Sequence, residues 1–337
     1  MSSLEDNDYS DYVSEVFMKS DIKIHEGFIR NALSKFKINR TRENINRVAL
    51  PPELVRENYN IDFQGVKNPK HREIVAEFCD VITKNFNDKI LTNFFNNIND
   101  LTIRKNRLSI FSGNDGTYQG GKYNRITVFD NDSIDHELFH MASSSYKNGI
   151  YYDGLSQYYA IQTKRGQKFV SDIGDGINEG YTKLLEERYF GKKRDKITYR
   201  NELLIASRVE IIVGEGKMAE YYFENNLQGL IDHLARYSTP ESAKKLITDF
   251  DYIHKSDNIV IGRDKKRIND CINYIKEYLC NCYMNKLLME LQQGVISEHE
   301  MTRLYSEFLS AFKEKMYVGP FKYIVEWGIE KEEKRIR

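Results

Sequence analysis

The chain has no excess charge of either sign: 50 Lys and Arg balance 50 Asp and Glu. A general nucleic-acid binder carries a basic excess or a basic stripe. Here only short clusters occur, Lys192-Lys193-Arg194 and Lys265-Lys266-Arg267, each read as a solvated turn or helix face. Nucleic acid is therefore not an expected partner. The chain also lacks any run near the roughly 20 apolar residues that span a bilayer, so no membrane partner is expected. Its first 20 residues are polar and acidic, without the basic start and apolar middle of a secretory signal, which makes the cytoplasm the expected compartment. Cysteine is scarce. Cys79, Cys271, Cys280 and Cys282 lie in helix-like segments, which argues against a disulfide framework. Cys280 and Cys282 have no second pair at metal-ligand spacing, so buried thiols are the expectation.

What the chain does have is the composition of a folded protein: 337 residues, 40% hydrophobic and 30% charged. Residues 1–65 read as a polar extension with short amphipathic pieces, Tyr12–Met18 and Phe28–Phe36, and a break at Pro51-Pro52. Asn68-Pro69 is a helix start. Ile74, Val75, Phe78, Val81 and Ile82 follow at helical spacing, and Ile90, Phe94, Phe95 and Ile98 continue the signal. Leu101–Arg104, Leu108–Phe111 and Tyr123–Phe129 alternate as strands do, with a glycine-rich loop expected over Ser112–Gly121. N-capping residues at Asp130–Ser133 open a helix from Ile134 to about Ser144. Tyr151–Gln162 and Gln167–Asp172 suit a hairpin. Gly174-Asp175-Gly176 leads into a helix from about Ile177 to Phe190. Beyond residue 200 the pattern is helical, with capping-box starts at Ser238–Glu241 and Ser297–Glu300 and a long amphipathic helix over Arg267–Leu291.

One run carries chemistry: Asp135-His136-Glu137-Leu138-Phe139-His140, which contains His-Glu-x-x-His. Residues four apart share a helix face, so both imidazoles reach one ion, and Glu137 lies beside them as a general base. Zinc accepts imidazole nitrogen and keeps a position for water, whose pKa it lowers toward neutrality. The same helix carries Ile134, Leu138, Phe139 and Met141, so it can be buried. Two histidines and a glutamate are costly there unless something satisfies them.

A strand followed by a helix with His-Glu-x-x-His resembles the zincin metallopeptidases. That resemblance implies that the preceding strand, Tyr123–Phe129, runs along the cleft and pairs with an extended substrate. The longer metzincin motif is absent, since Ser143 and Tyr146 stand at its Gly and last His positions. Asn178-Glu179-Gly180 instead resembles the gluzincin run whose Glu is the third zinc ligand. The resemblance covers about Leu101 to Phe190. It departs from familiar members in a longer gap between His140 and Glu179, in Lys183 where one pattern has the supporting Asp, and in the missing Gly-x-Met-Glu-Asn motif of aminopeptidases. Asp135, Asp172, Asp175 and Glu186 remain open as carboxylates behind the ligands. Tyr151, Tyr152, Tyr158, Tyr159, Tyr221, Tyr222 and His233 remain open for the oxyanion, with Tyr221 and Tyr222 preferred.

The expected fold is α+β: a zincin-like small twisted sheet with its active-site helix in residues 66–172, then a mainly helical subdomain, residues 173–337, carrying the third ligand. The expected function is zinc-dependent hydrolysis of peptide or protein substrates, with His136, His140 and Glu179 binding Zn2+ and Glu137 as base. A catalytically silent zinc-bearing peptide-binding module and a metal-free helical interaction protein are the alternatives. The sequence gives no oligomeric state.

Overall fold

The computed structural model describes residues 61–105, 116–120, 123–128, 131–147, 150–163, 166–191, 199–257, 265–310, 315–318 and 323–326. All lie in the compact unit Thr41–Arg337. The expected pieces at Tyr12–Met18, Phe28–Phe36, Pro51-Pro52 and Leu108–Phe111 fall outside these residues.

The architecture is α+β and mostly helical. Helix α1, Pro69–Asn85, begins as its sequence dictates: the Asn68 side chain accepts from the amides of Lys70 and His71, and Pro69 fills the first turn. Its apolar stripe buries Val75, Phe78, Cys79 and Ile82. A short α2, Thr92–Ile98, follows. Ile61 and Phe63, in the segment expected as polar extension, are also buried in the core.

A three-stranded sheet comes next, with β1 over Thr102–Lys105, β2 over Gly116–Gln119 and β3 over Arg125–Val128. Its order is β1-β3-β2, with β1 parallel and β2 antiparallel to β3. Two expectations are corrected here. The strand before the metal-motif helix is central and paired on both sides, so it cannot receive a substrate by strand addition. The stretch expected to be a loop contains the edge strand, β2.

From β3 a single 3-10 turn, Asn131–Ser133, leads into α3, Ile134–Ser143. Ser133 makes no side-chain cap bond. All ten residues of α3 are buried. Phe139 packs edge-on against Phe78, ring centroids 4.9 Å apart; burying such a ring contributes about 1.5–3 kcal/mol. A four-stranded antiparallel sheet follows in sequence order: β4 Ser145–Lys147, β5 Ile150–Asp153, β6 Ser156–Thr163 and β7 Gly166–Ile173.

Helix α4, Asp175–Phe190, starts at Gly174, whose φ of 98° is the left-handed region open to glycine. Its N-terminus is capped from a distant helix: Asp251 accepts from the amides of Gly174 and Gly176 at 2.7 and 2.8 Å. The helical half continues with α5 Arg200–Val213, α6 Glu215–Phe223, α7 Leu227–Ala235, α8 Pro240–Asp257, α9 Lys265–Gln292 and α10 Glu298–Ser310. Thr239 and Ser242 exchange backbone and side-chain bonds before α8, a reciprocal cap in which Ser stands where Glu was expected. A hairpin of β8, Lys315–Val318, and β9, Tyr323–Glu326, interrupts the expected all-helical pattern. Helices α4 and α5 approach closely at Gly180, where a Cβ would meet the Glu202 carbonyl oxygen at 2.3 Å. A buried bidentate pair, Arg188 with Glu210, ties the same two helices. One hydrophobic core runs from α1 through α3 and α4 to α10, across the boundary expected at residue 172. Among the described residues no helix is long and apolar enough to cross a membrane.

Candidate metal centre

Helix α3 presents His136 and His140 one turn apart, and α4 brings Glu179 to meet them. His136 Nε2 lies 3.2 Å from His140 Nε2 and 3.2 Å from Glu179 Oε2, and His140 Nε2 lies 3.6 Å from the same oxygen. Ligands on tetrahedral zinc, with bonds of about 2.0–2.1 Å, stand about 3.3–3.4 Å apart. The three observed separations are close to such edges. Among the described residues this is the one group of its kind whose donor atoms all lie within 4.8 Å of one another. Two imidazoles and a carboxylate on one point is a borderline-soft donor set that suits zinc.

Burial opposes charge on all three groups, yet their mutual contacts prevail. Burial lowers His136, but hydrogen bonds to Glu179 and Glu186 raise it to about 9. Burial likewise lowers His140, while Asp153 and Glu179 drive it well above its ordinary value. Glu179 is held well below the carboxylate range because His140 and His136 outweigh its burial. Protons and a metal ion thus compete for the same nitrogens.

Each histidine is oriented from behind. His140 Nδ1 bonds Asp153 Oδ1 at 3.0 Å, and His136 Nδ1 bonds Glu186 Oε2 at 3.2 Å. Such carboxylates fix ring orientation and strengthen donation to a metal. Glu186 was one of four open candidates. Asp153, at the end of β5, was missed, because Asp-Gly after a tyrosine-rich strand reads simply as a turn. Two asparagines hold that turn. The Leu155 amide donates to Asn178 Oδ1 at 3.0 Å, and Asn225 Nδ2 donates to the Gly154 carbonyl at 3.1 Å. Gly154 has φ 54°, and a Cβ there would collide with Asn178 and Tyr222. Of the other candidates, Asp175 is engaged by Lys255 at 3.3 Å and Asp135 is buried on α3. The Asp172 side chain is outside the described residues.

Glu137 lies on the side of α3 facing β2. A Cβ on Gly116 would stand 3.0 Å from Glu137 Oε1, so the edge strand passes directly over this carboxylate. Burial raises Glu137, with His140 and His136 partly opposing; a raised carboxyl is a stronger base.

The preferred tyrosines have other partners. The Tyr221 hydroxyl bonds His233 Nδ1 at 3.2 Å. The Tyr222 hydroxyl bonds Thr182 Oγ1 at 2.7 Å, and its ring is fully buried against Tyr181. Burial raises the Tyr222 hydroxyl to about 12, with His140 lowering it and Asp153 raising it. Burial keeps the Tyr158 hydroxyl neutral, and the charges of Asp175, Asp153 and Glu179 add to the effect.

A different tyrosine touches the centre. The Tyr199 ring stacks on His136, centroids 5.5 Å apart and planes 2° from parallel. It also stacks on His254 at 6.0 Å. Tyr199 has φ 62°, a left-handed backbone that bulky residues avoid and that marks local strain. His254 Nδ1 bonds the buried Glu202 at 3.1 Å. Burial lowers His254, but Glu202 outweighs this and raises it to about 9, with Glu179 and Asp175 adding to the effect. No local pattern in the sequence marks Tyr199 or His254; helix packing alone brings them here.

Compared with known protein families, curated proteins and solved structures, the chain shows no significant match.

Proposed function

We propose that this chain is a zinc-dependent peptidase of the gluzincin type. The observation that carries the reading is the convergence of His136, His140 and Glu179 at separations close to tetrahedral edges, with Glu137 beside them. When bound, zinc would supply an acidified water and a polarised carbonyl. Glu137, beside that point, is the residue of this chain that would accept a proton there and pass it toward a leaving amine. Asp153 and Glu186 keep the two imidazoles aimed at a common point.

An extended substrate is assigned to the free edge of β2. Among the described residues β2 pairs only with β3, and it runs over Glu137. Backbone pairing there sets a peptide beside the base without demanding particular side chains. The geometry at Gly116 yields an expected outcome. Gly116→Ala puts a methyl group 2.9 Å from Ser133 Oγ and 3.0 Å from Glu137 Oε1, so both side chains must shift, and the base with them. Cleavage falls by about tenfold or more, as expected when a base is displaced, while zinc content stays at the wild-type level. Rates and zinc stoichiometry on the same samples check this. Unchanged rates would show that β2 does not confine the base.

The Tyr199–His254 pair joins Tyr221 and Tyr222 as a candidate for the oxyanion role. His254 is held by Glu202 as a doubly donating imidazolium, within electrostatic reach of Glu179. His254→Gln lowers kcat by about 10–100-fold with little change in KM, the pattern for a contact made chiefly in the transition state. In wild type, activity falls as pH rises through about 9, where His254 gives up its proton. That alkaline limb disappears in His254→Gln. A limb unchanged in the variant would remove His254 from the mechanism.

The test of the whole reading is cleavage of a peptide library by purified protein, its loss on chelation and its return with added zinc. Library peptides that stay intact under all conditions would exclude the peptidase.

A further inference from the structure

The two histidines are not supported equally. Asp153 gives its Oδ1 to His140 at 3.0 Å. Glu186 Oε2 faces two partners: His136 Nδ1 at 3.2 Å and the Lys183 ammonium at 3.0 Å. Lys183 lies one turn beyond Glu179 on α4, and both it and Glu186 are buried, 6% and 1% exposed. Lys183 Nζ also stands 3.9 Å from Glu187. The second oxygen of Glu186, Oε1, has no hydrogen-bond partner. The His136 side of the centre therefore holds a buried cation on the very oxygen that supports the ligand.

A carboxylate behind a metal-bound imidazole strengthens that ligand. A lysine on the same oxygen draws charge away from the imidazole. Its own positive charge, buried and so only weakly screened, also opposes the arrival of a dication. Both effects act in one direction. We propose that Lys183 is a positioning and tuning residue that weakens zinc binding at this centre, so that the metal is held through one strong and one attenuated histidine. The inference rests on the zinc reading above, and it concerns the affinity of that site rather than its chemistry.

A purely structural role predicts the opposite sign. If Lys183 only neutralised Glu186, its loss would leave a buried carboxylate poorly compensated, loosen α4 and weaken zinc binding. The distinguishing experiment is a zinc titration against a chromophoric chelator at fixed pH, using full-length protein. Lys183→Met removes charge and hydrogen bond. Lys183→Gln removes the charge but keeps a donor for Glu186, and stands in if the Met variant does not fold. Lys183→Arg keeps the charge. Both neutral variants should bind zinc about tenfold tighter than wild type, and the Arg variant within about twofold of it. Glu186→Gln should bind about 10–100-fold more weakly, the range for loss of such a partner. Neutral variants that bind zinc as wild type does, or more weakly, overturn the inference and leave the zinc reading intact. A wild-type protein that takes up no zinc overturns both.

Discussion

Glu137→Gln is expected to retain zinc at the wild-type stoichiometry while peptide hydrolysis falls by about 10²–10⁴-fold, the range of general base catalysis. The substitution keeps shape and hydrogen-bonding capacity but removes the proton acceptor. Glu137 is not among the three converging donors. It lies beside them under Gly116 of the edge strand, so its loss leaves the ligand geometry in place. Zinc content and cleavage rate, measured on the same preparation, check this. Wild-type activity in the variant contradicts the assigned base. Zinc loss in the variant makes Glu137 a ligand or a structural residue, and a peptide-binding zinc module then becomes the better account.

His140→Ala is expected to behave differently: zinc and activity are lost together. The variant removes one of the three donors and leaves Asp153, which His140 engages at 3.0 Å, without that partner. A metal that binds only the native state stabilises it by RT ln(1 + [L]/Kd), about 2.7 kcal/mol at a hundredfold excess over Kd. For a chain of 337 residues that is a rise in Tm of roughly 3–5 °C. Wild type should show this rise on adding zinc, and His140→Ala should not. Glu179→Ala should match His140→Ala. An equal zinc-dependent rise in all three proteins would place the metal elsewhere.

Much of the scaffold is written locally. Asn68 and Pro69 announce α1, and the spacing of Val75, Phe78 and Ile82 names its buried face. Ile134, Leu138, Phe139 and Met141 marked α3 as a helix that can be buried, and every residue of α3 is buried. Glu186 could have been singled out as well: it stands seven residues after Glu179, two helical turns along the same face. Asp175, four residues before Glu179, shares that face and instead meets Lys255, so spacing alone narrows the choice without closing it.

Other features depend on which segments meet. Alternation marked Tyr123–Phe129 as a strand, but a period of two does not say which edges are paired. That β3 is central follows from β1 and β2 together. The edge strand itself was hidden in a glycine-rich stretch, where Gly116 lets the backbone pass close to Ser133 and Glu137. Asp153 reaches His140 through a sheet inserted after α3, and Tyr199 reaches His136 through the packing of α5. Among 23 tyrosines, no spacing rule distinguishes Tyr199, whose ring stacks on His136, from Tyr222, whose ring packs against Tyr181.

The central claim is a zinc ion held by His136, His140 and Glu179. An anomalous difference map at the zinc absorption edge, from crystals grown with zinc, tests it most directly. The account predicts one dominant peak about 2.0–2.2 Å from both Nε2 atoms and from a Glu179 oxygen. A zinc peak at any other site, with these three side chains unliganded, would contradict it.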